Sequence, residues 1–257
     1  MNQLLYPLVL LLFIFNLAYA QTPEEKGLEI ATKSEKSDDG FKGESSTMEM
    51  LLINAHGQKI ERKMTSKSKE VPGDGDKSII TFLWPADVKG SKMLTHTHKT
   101  KDDDQWLFLP ALKRVKRISS RSKTGSFMGS EFSYEDLGSQ EVEKYNYKYI
   151  KDEVIEGKPH WVVERYPVDK KSGYKRQVLW MSQEYLQATK IDYYDRKDEL
   201  LKTGTFTGYK QYGKFWRASS IKMVNHQTKK SSILNWSTRK VSQSFSNKDF
   251  HKNSLKE

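Results

Sequence analysis

The sequence predicts a mainly β protein whose antiparallel strands form an up-and-down sheet that curls or closes. After one short helical pattern, the chain is a series of apolar and aromatic segments separated by turn signals such as Glu156-Gly157-Lys158. No long helical pattern intervenes, which favours antiparallel over parallel pairing. Large apolar side chains occupy both faces of these segments, as Val178 and Trp180 do against Leu179 and Met181, whereas a sheet with one wet face alternates more cleanly.

These two-faced strands have two explanations. A helix and loops could cover the second face of the sheet, which would make the extra apolar residues ordinary core. Alternatively, a strongly bent sheet could enclose an apolar cavity that receives a ligand. Composition alone does not choose between them.

The first twenty residues have the outline of a secretory signal peptide. They contain no charged side chain, run through an apolar stretch that is short for a membrane span, and end on Ala18-Tyr19-Ala20, small residues that suit signal peptidase. We therefore predict cleavage after Ala20 and export. A retained N-terminal anchor is the alternative, because no Lys or Arg precedes the apolar stretch.

Residues 21–257 are expected to form a single domain. The chain has no cysteine, so the exported protein must be held together by burial and hydrogen bonding, which a large sheet can provide. Its 44 Lys and Arg against 33 Asp and Glu give a net charge of +11, which attracts anionic surfaces such as lipid headgroups or acidic glycans. The export signal argues against nucleic acid as a partner.

The pattern predicts one helix and then strands almost to the C-terminus. Pro23-Glu24-Glu25 suits a first helical turn, Leu28, Ile30 and Ala31 form a partial apolar face, and Asp38-Asp39-Gly40 ends the helix. A hairpin is expected next, with strand residues 48–53 and a turn at 55–58. Further strands are predicted at residues 78–84, 92–99, 105–109, 144–150, 161–166, 175–181, 189–194, 201–209, 215–225 and 232–238.

The most distinctive region, residues 105–137, begins with a strand that Pro110 ends and continues as a basic run. Leu112, Val115 and Ile118 are spaced by three, so a helical turn would seat them inward. A fan of cations would then face outward, and these are Lys113, Arg114, Lys116, Arg117, Arg121 and Lys123. A solvated charged face without a partner is the simpler alternative.

The end of the same region, Gly125 to Tyr134, combines glycine and serine hinges with apolar and aromatic residues. This composition is typical of a mobile lid. An ordinary loop whose Phe127, Met128 and Phe132 fill the core is the alternative.

Three blocks of sequence make the chain recognisable. Residues 82–90 (FLWPADVKG), 106–118 (WLFLPALKRVKRI) and 129–137 (GSEFSYEDL) resemble the outer membrane lipoprotein-sorting protein family, LolA-like, and in particular its branch associated with RND or MMPL-type exporters. The similarity continues in 157–165 and 173–181. It implies a highly curved, antiparallel, half-open β-barrel (LolA/LolB-like) with an N-terminal helix and a short helical lid over an apolar cavity.

The resemblance also implies a function and a set of site residues. A family member would be a periplasmic carrier that binds the acyl chains of a lipid or lipoprotein and transfers them between envelope membranes, with an RND/MMPL-type exporter as partner. We expect eight residues at or near the cavity and its lid: Trp84, Trp106, Phe108, Leu109, Phe127, Met128, Phe132 and Tyr134. The six cations of the basic run are expected beside the mouth, where they would contact anionic headgroups, a membrane surface or the exporter.

No catalytic or cofactor motif is recognisable, so we predict a non-enzyme without a cofactor. The strongest metal candidate is the pair His96 and His98, which share a strand face near the carboxylates of 102–104. Imidazoles beside an acidic turn explain them more simply, and we predict no metal site. Tyr145, Tyr147 and Tyr149 also share a strand face; packing beneath a lid or helix is expected, with sugar stacking as the alternative.

Two function classes therefore stand at this point. The first is the lipid or lipoprotein carrier. The second is an exported, non-catalytic binding module that uses its basic surface to hold acidic envelope glycans or anionic membranes. Lipid that co-purifies with the protein would distinguish them, since only the first requires it.

Overall fold

The computed structural model describes residues 21–256, so the predicted signal peptide and its cleavage site lie outside the described residues. One α-helix, α1 (Pro23–Asp38), precedes the strands in this part of the chain. The strands are β1 (Gly43–Ile53), β2 (Lys59–Lys69), β3 (Lys77–Trp84), β4 (Lys92–His96), β5 (Asp104–Leu109), β6 (Arg114–Ile118), β7 (Tyr145–Ile155), β8 (Lys158–Pro167), β9 (Tyr174–Ser182), β10 (Ala188–Asp195), β11 (Leu200–Thr207), β12 (Lys210–Tyr212), β13 (Phe215–Arg217), β14 (Ser220–Asn225) and β15 (Ser231–Val241).

Thirteen of these strands form one antiparallel sheet. Its order is β6-β5-β4-β3-β2-β1-β15-β14-β11-β10-β9-β8-β7, and the short hairpin β12–β13 pairs separately. Consecutive strands are neighbours almost throughout, while β1 pairs with β15 in the middle. The prediction of an antiparallel meander is confirmed, with β6 and β7 as the edges of the sheet.

The sheet is curved enough to bring its two halves together, although β6 and β7 are not paired with each other. Three ion pairs, which we call the seam, connect the turns of one half to those of the other. They are Asp103–Lys144 at 2.5 Å, Asp102–Lys171 at 2.9 Å and Lys123–Asp169 at 2.5 Å. The result is a half-open barrel, as predicted.

Helix α1 lies on the inner face of this barrel, against β7. Thr22 and Glu25 form a capping box at its N-terminus, with Pro23 in the first turn. Gly27 faces the strand so closely that a Cβ atom there would lie 2.8 Å from the backbone nitrogen of Tyr149. A residue without a side chain is therefore needed where the helix backbone meets the sheet.

The apolar groups on the two faces of the strands have different packing partners. On the inner face, residues such as Met93 and Leu107 join the main core. On the outer face of β3–β5, Leu94 is fully buried under Phe250 and Leu255, which belong to two short 3-10 turns at the C-terminus (Asn247–Phe250 and Lys252–Leu255). The C-terminal segment thus covers the outer side, and the inner side is left to face the interior of the barrel.

The helical prediction for the basic run is wrong. After a 3-10 turn at Pro110–Leu112, Lys113 adopts a left-handed conformation (φ 47°) that reverses the chain. Residues 114–118 then pair with β5, with Val115 opposite Phe108. β-branched residues at 115 and 118 suit a strand better than a helix, and the short helical elements of the region lie later, at Tyr134–Leu137 and Val142–Lys144.

Candidate ligand-binding cavity

A cavity of about 760 Å³ lies between the inner face of the sheet and α1. This volume is in the range of known small-molecule sites. The helix contributes Ile30 and Ala31 to its wall. The sheet contributes inward-facing apolar residues of β7–β10 and β14, namely Tyr147, Val163, Leu179, Met181, Ile191 and Met223. The arrangement can enclose an apolar ligand.

These wall residues are not among those predicted from the sequence, although a signal for them exists. Leu179 and Met181 are two apart on β9, and Ile191 and Tyr193 are two apart on β10, so each pair points to the same face of its strand. The signal was masked because the opposite face also carries apolar groups such as Trp180. Which face of a strand points inward becomes clear only from the elements that pack against each face.

The cavity also contains a buried cation, Arg165 of β8, with 5% of its surface exposed. Its Nε donates to Gln177 Oε1 at 2.7 Å, and its Nη2 donates to Gln140 Oε1 at 2.9 Å. The guanidinium lies 4.2 Å from the ring centroid of Tyr145. Arg165 is not among the site residues predicted from the sequence; its position on the same strand face as Val163 was the available signal.

The rim of the cavity is rich in carboxylates that already have partners. Glu35, Glu141 and Glu143 bring three carboxylate oxygens within 4.8 Å of one another. The ammonium group of Lys99 lies 3.6, 3.9 and 3.4 Å from them, respectively. Burial raises the pKa of Glu141. The group is therefore an ion-pair cluster around a lysine.

Asp76, at the same rim, titrates far from the usual range of an aspartate. Burial, reinforced by the nearby charge of Glu141, raises its pKa to about 7. Burial likewise raises the pKa of Asp38, against the opposing effect of Arg217, with which it forms an ion pair. The rim thus contains a carboxyl group that changes charge near neutral pH.

The two histidines of the metal candidate bind protein groups. His96 Nε2 donates to the carbonyl oxygen of Phe250 at 2.7 Å. His98 Nδ1 lies 2.7 Å from Asp74, and its Nε2 lies 3.4 Å from Asp104. The hydrogen bond from His98 is the largest cause that lowers the pKa of Asp74. These contacts explain both side chains without a metal ion.

Of the eight residues predicted at the cavity and lid, Phe132 lines the cavity. Phe127 is fully buried just behind it, with ring centroids 5.7 Å from Phe82 and 5.9 Å from Tyr134. The remaining members that pack against the same core are Leu109, Met128 and Tyr134.

The placement of Trp106 and Phe108 at the cavity is wrong. Strand alternation turns Leu107 inward, so its two neighbours point outward and pack with the C-terminal cluster around Leu94. Trp84, at the end of β3, is 48% exposed and lies in neither cluster. An apolar side chain next to a turn was not enough to place it inside.

The six cations of the basic run do not form one group. Lys123 lines the cavity and joins the seam, while Arg117 pairs with Asp104 at 2.5 Å. The other four are exposed along or beside β6 and have no ion-pair partner within residues 21–256; they are Lys113, Arg114, Lys116 and Arg121.

Segment 125–137 fills one end of the barrel and is held by a polar network. Lys202 of β11 donates to the carbonyl oxygen of Glu131 at 2.9 Å and to Asp136 Oδ2 at 2.6 Å. The hydroxyl of Tyr174 donates to the other oxygen of Asp136 at 2.7 Å. The predicted lid is therefore packed inward in this structure. Of the three tyrosines of β7, Tyr149 lies beneath α1, with the ammonium group of Lys26 3.5 Å from its ring centroid.

This architecture has close counterparts among solved structures. A provisionally assigned outer membrane lipoprotein-sorting protein domain from Vibrio parahaemolyticus is 51% identical over 91% of this chain and 100% of its own, with a TM-score of 0.89. The chain belongs to the outer membrane lipoprotein-sorting protein family. A DUF1329 family protein from Desulfovibrio piger is 30% identical over 91% and 99% of the two chains, with a TM-score of 0.87.

A comparison with a more distant protein shows the fold of this chain alone. A LolA superfamily protein from Nitrosomonas europaea is 19% identical over 89% of this chain and 98% of its own, with a TM-score of 0.71, so the fold is LolA-like. A family model described only as an uncharacterized protein matches residues 74–257. No curated protein matches the chain. Between residues 21 and 256, no helix combines the length and apolar character needed to cross a bilayer.

Proposed function

We propose that the protein is a non-catalytic periplasmic carrier that holds the acyl chains of a lipid or lipoprotein while they pass between envelope membranes. The observation that carries this proposal is the cavity between α1 and the apolar inner face of the sheet. Membership of the outer membrane lipoprotein-sorting protein family supports it, since two solved relatives match this fold over 100% and 99% of their own length.

The physical requirement on such a carrier is apolar area that replaces the membrane. Each CH₂ group that leaves water contributes about 0.8 kcal/mol, so a cavity that covers most of a chain offsets the cost of extracting it. Met181 and Met223 in the wall suit cargo of different shapes, because the thioether side chain is flexible. Helix α1 and segment 125–137 would be the parts that yield when cargo enters or leaves.

The predicted site residues take different roles in this proposal. Phe132 would contact the cargo, with Phe127, Met128, Tyr134 and Leu109 supporting it from behind. The exposed cations along β6 would contact an anionic membrane surface or an RND/MMPL-type exporter, which remains the partner that the family resemblance suggests. Lys123, at the cavity wall, would be the one nearest the cargo.

The binding module for acidic glycans is the competing function, and the unpaired cations along β6 favour it. Mature protein isolated from its native envelope and extracted with chloroform and methanol separates the two by mass spectrometry. A carrier should yield acyl lipids in defined stoichiometry, well above those from an unrelated exported protein prepared identically. A lipid-free protein that still binds acidic polysaccharide would contradict the carrier and support the module.

A further inference from the structure

The charge of Arg165 has no counter-charge within the described residues. Buried guanidinium groups are ordinarily paired with a carboxylate, since a charge taken out of water is costly when it is left alone. Arg165 is almost fully buried, yet no acidic oxygen lies within 4 Å of its nitrogen atoms among residues 21–256, and its two hydrogen bonds go to neutral amides.

Two carboxylates that line the same cavity, Glu135 and Asp136, have partners of their own. Glu135 accepts hydrogen bonds from the hydroxyl of Ser172 and the backbone nitrogen of Gly173, both at 3.0 Å. Asp136 is held by the ammonium group of Lys202 at 2.6 Å. Neither carboxylate is placed to neutralise the guanidinium.

The guanidinium also has donors to spare. An arginine presents five N–H donors, and the two hydrogen bonds of Arg165 leave the remaining three without a protein acceptor in the described part of the chain. Gln177 and Tyr145 position the group, the first by accepting the hydrogen bond of Nε and the second through its ring, whose centroid lies 4.2 Å from the guanidinium carbon. The guanidinium is therefore already oriented before a ligand binds, and Arg165 lines the cavity.

We infer that Arg165 binds the anionic end group of an acyl-chain ligand inside the cavity. Carboxylates and phosphates both match the planar fork of a guanidinium, which can donate two parallel hydrogen bonds to either. The apolar wall receives the chain and Arg165 receives the charge. This inference rests on the proposed carrier function and specifies the class of its ligand.

Three ligands with the same chain test it: dodecanoate, dodecyl phosphate and dodecanol, titrated calorimetrically into the mature protein at pH 8. The parent should bind at least one of the two anions ten or more times more tightly than the alcohol, and the preferred anion distinguishes a carboxylate source from a phosphate source. Arg165→Gln should bring the anions to within threefold of dodecanol, and Arg165→Lys should retain part of the preference because it keeps the charge.

The matched control is Arg176→Gln, which removes a half-buried arginine that pairs with Glu164 and Asp198 outside the cavity. It should leave the preference intact. Equal binding of all three ligands by the parent, or an unchanged preference in Arg165→Gln with parent-like thermal stability, overturns the inference while the carrier function stands. Failure to bind any of the three overturns both.

Discussion

Lys202 and Asp136 form an almost fully buried ion pair, with 2.6 Å between Nζ and Oδ2 and 4% and 8% of their side chains exposed. The pair joins β11 to segment 125–137. The same ammonium group also binds the carbonyl oxygen of Glu131. A single lysine side chain therefore holds segment 125–137 at two positions, Glu131 and Asp136. Lys202 thus holds segment 125–137 against the sheet.

Replacing Lys202 with Met should lower the free energy of unfolding by about 3 kcal/mol, because it leaves Asp136 buried without a counter-charge. Denaturant titration of the mature protein measures the loss. Lys158→Met, which breaks an exposed pair with Glu184, is the control and should have no measurable effect. Equal stability of the two variants would show that the buried ion pair does not stabilise the packing of segment 125–137.

Gly27→Ala should destabilise the protein by about 1–3 kcal/mol through overpacking, although alanine is normally the better helix former by about 1 kcal/mol. The reason is the 2.8 Å approach of its Cβ to the backbone of Tyr149. Leu28→Ala, at the exposed neighbouring position, should leave the melting temperature nearly unchanged. A stabilised Gly27→Ala variant would mean that α1 is not pressed against β7.

Stability should fall as pH rises from about 4 to about 7, in part because of Asp76. Its folded pKa of about 7 is above the ordinary value of about 3.9, so the protonated form stabilises the fold below pH 4 and this contribution is lost as pH approaches 7. Asp76→Asn should flatten the pH profile of the melting temperature and melt above the parent at pH 8. Exposed Asp87→Asn should preserve the parent's profile.

The seam should limit opening of the barrel more than it contributes to global stability. In a Lys144→Ala, Lys171→Ala double variant, backbone amides of β6 and β7 should exchange with deuterium severalfold faster, because two of the three pairs that hold the halves together are removed. A charge-matched double variant, Lys151→Ala and Lys190→Ala, removes pairs that lie within single strands and do not join the two halves. Faster exchange in both, or in neither, would rule out a specific role for the seam.

Much of the fold could be predicted from the sequence because local signals agreed with tertiary structure. Pro23 and Asp38 mark the helix where capping chemistry places them, and strand periodicity located nearly all of the sheet. Two failures have different physical causes. The expected strand at 215–225 is two strands, because β13 pairs with β12 outside the main sheet and only β14 belongs to that sheet. The run 112–118 is the end of a turn and the second strand of a hairpin, because the left-handed Lys113 reverses the chain, and such a reversal leaves little trace in an apolar pattern.

The site was harder to predict than the fold. Trp106 and Leu107 are both apolar residues of β5, so the sequence alone does not tell which of them points inward. The C-terminal segment, which covers one face of β5, decides it. Arg165 was not predicted for a related reason: an arginine in a strand is unremarkable until it proves to be buried with no carboxylate partner among residues 21–256. Such features depend on contacts between residues distant in sequence.

The most direct test of the account is acyl-chain binding by a variant whose cavity is filled. Ala31, on the inner side of α1, lines the cavity, and Ala31→Trp should occupy that space, whereas Lys36→Trp adds the same side chain to the exposed side of the helix. Titrated with dodecanoate, the parent and Lys36→Trp should bind alike and Ala31→Trp at least tenfold more weakly. Undiminished binding by a folded Ala31→Trp variant would contradict a carrier that holds its cargo in this cavity.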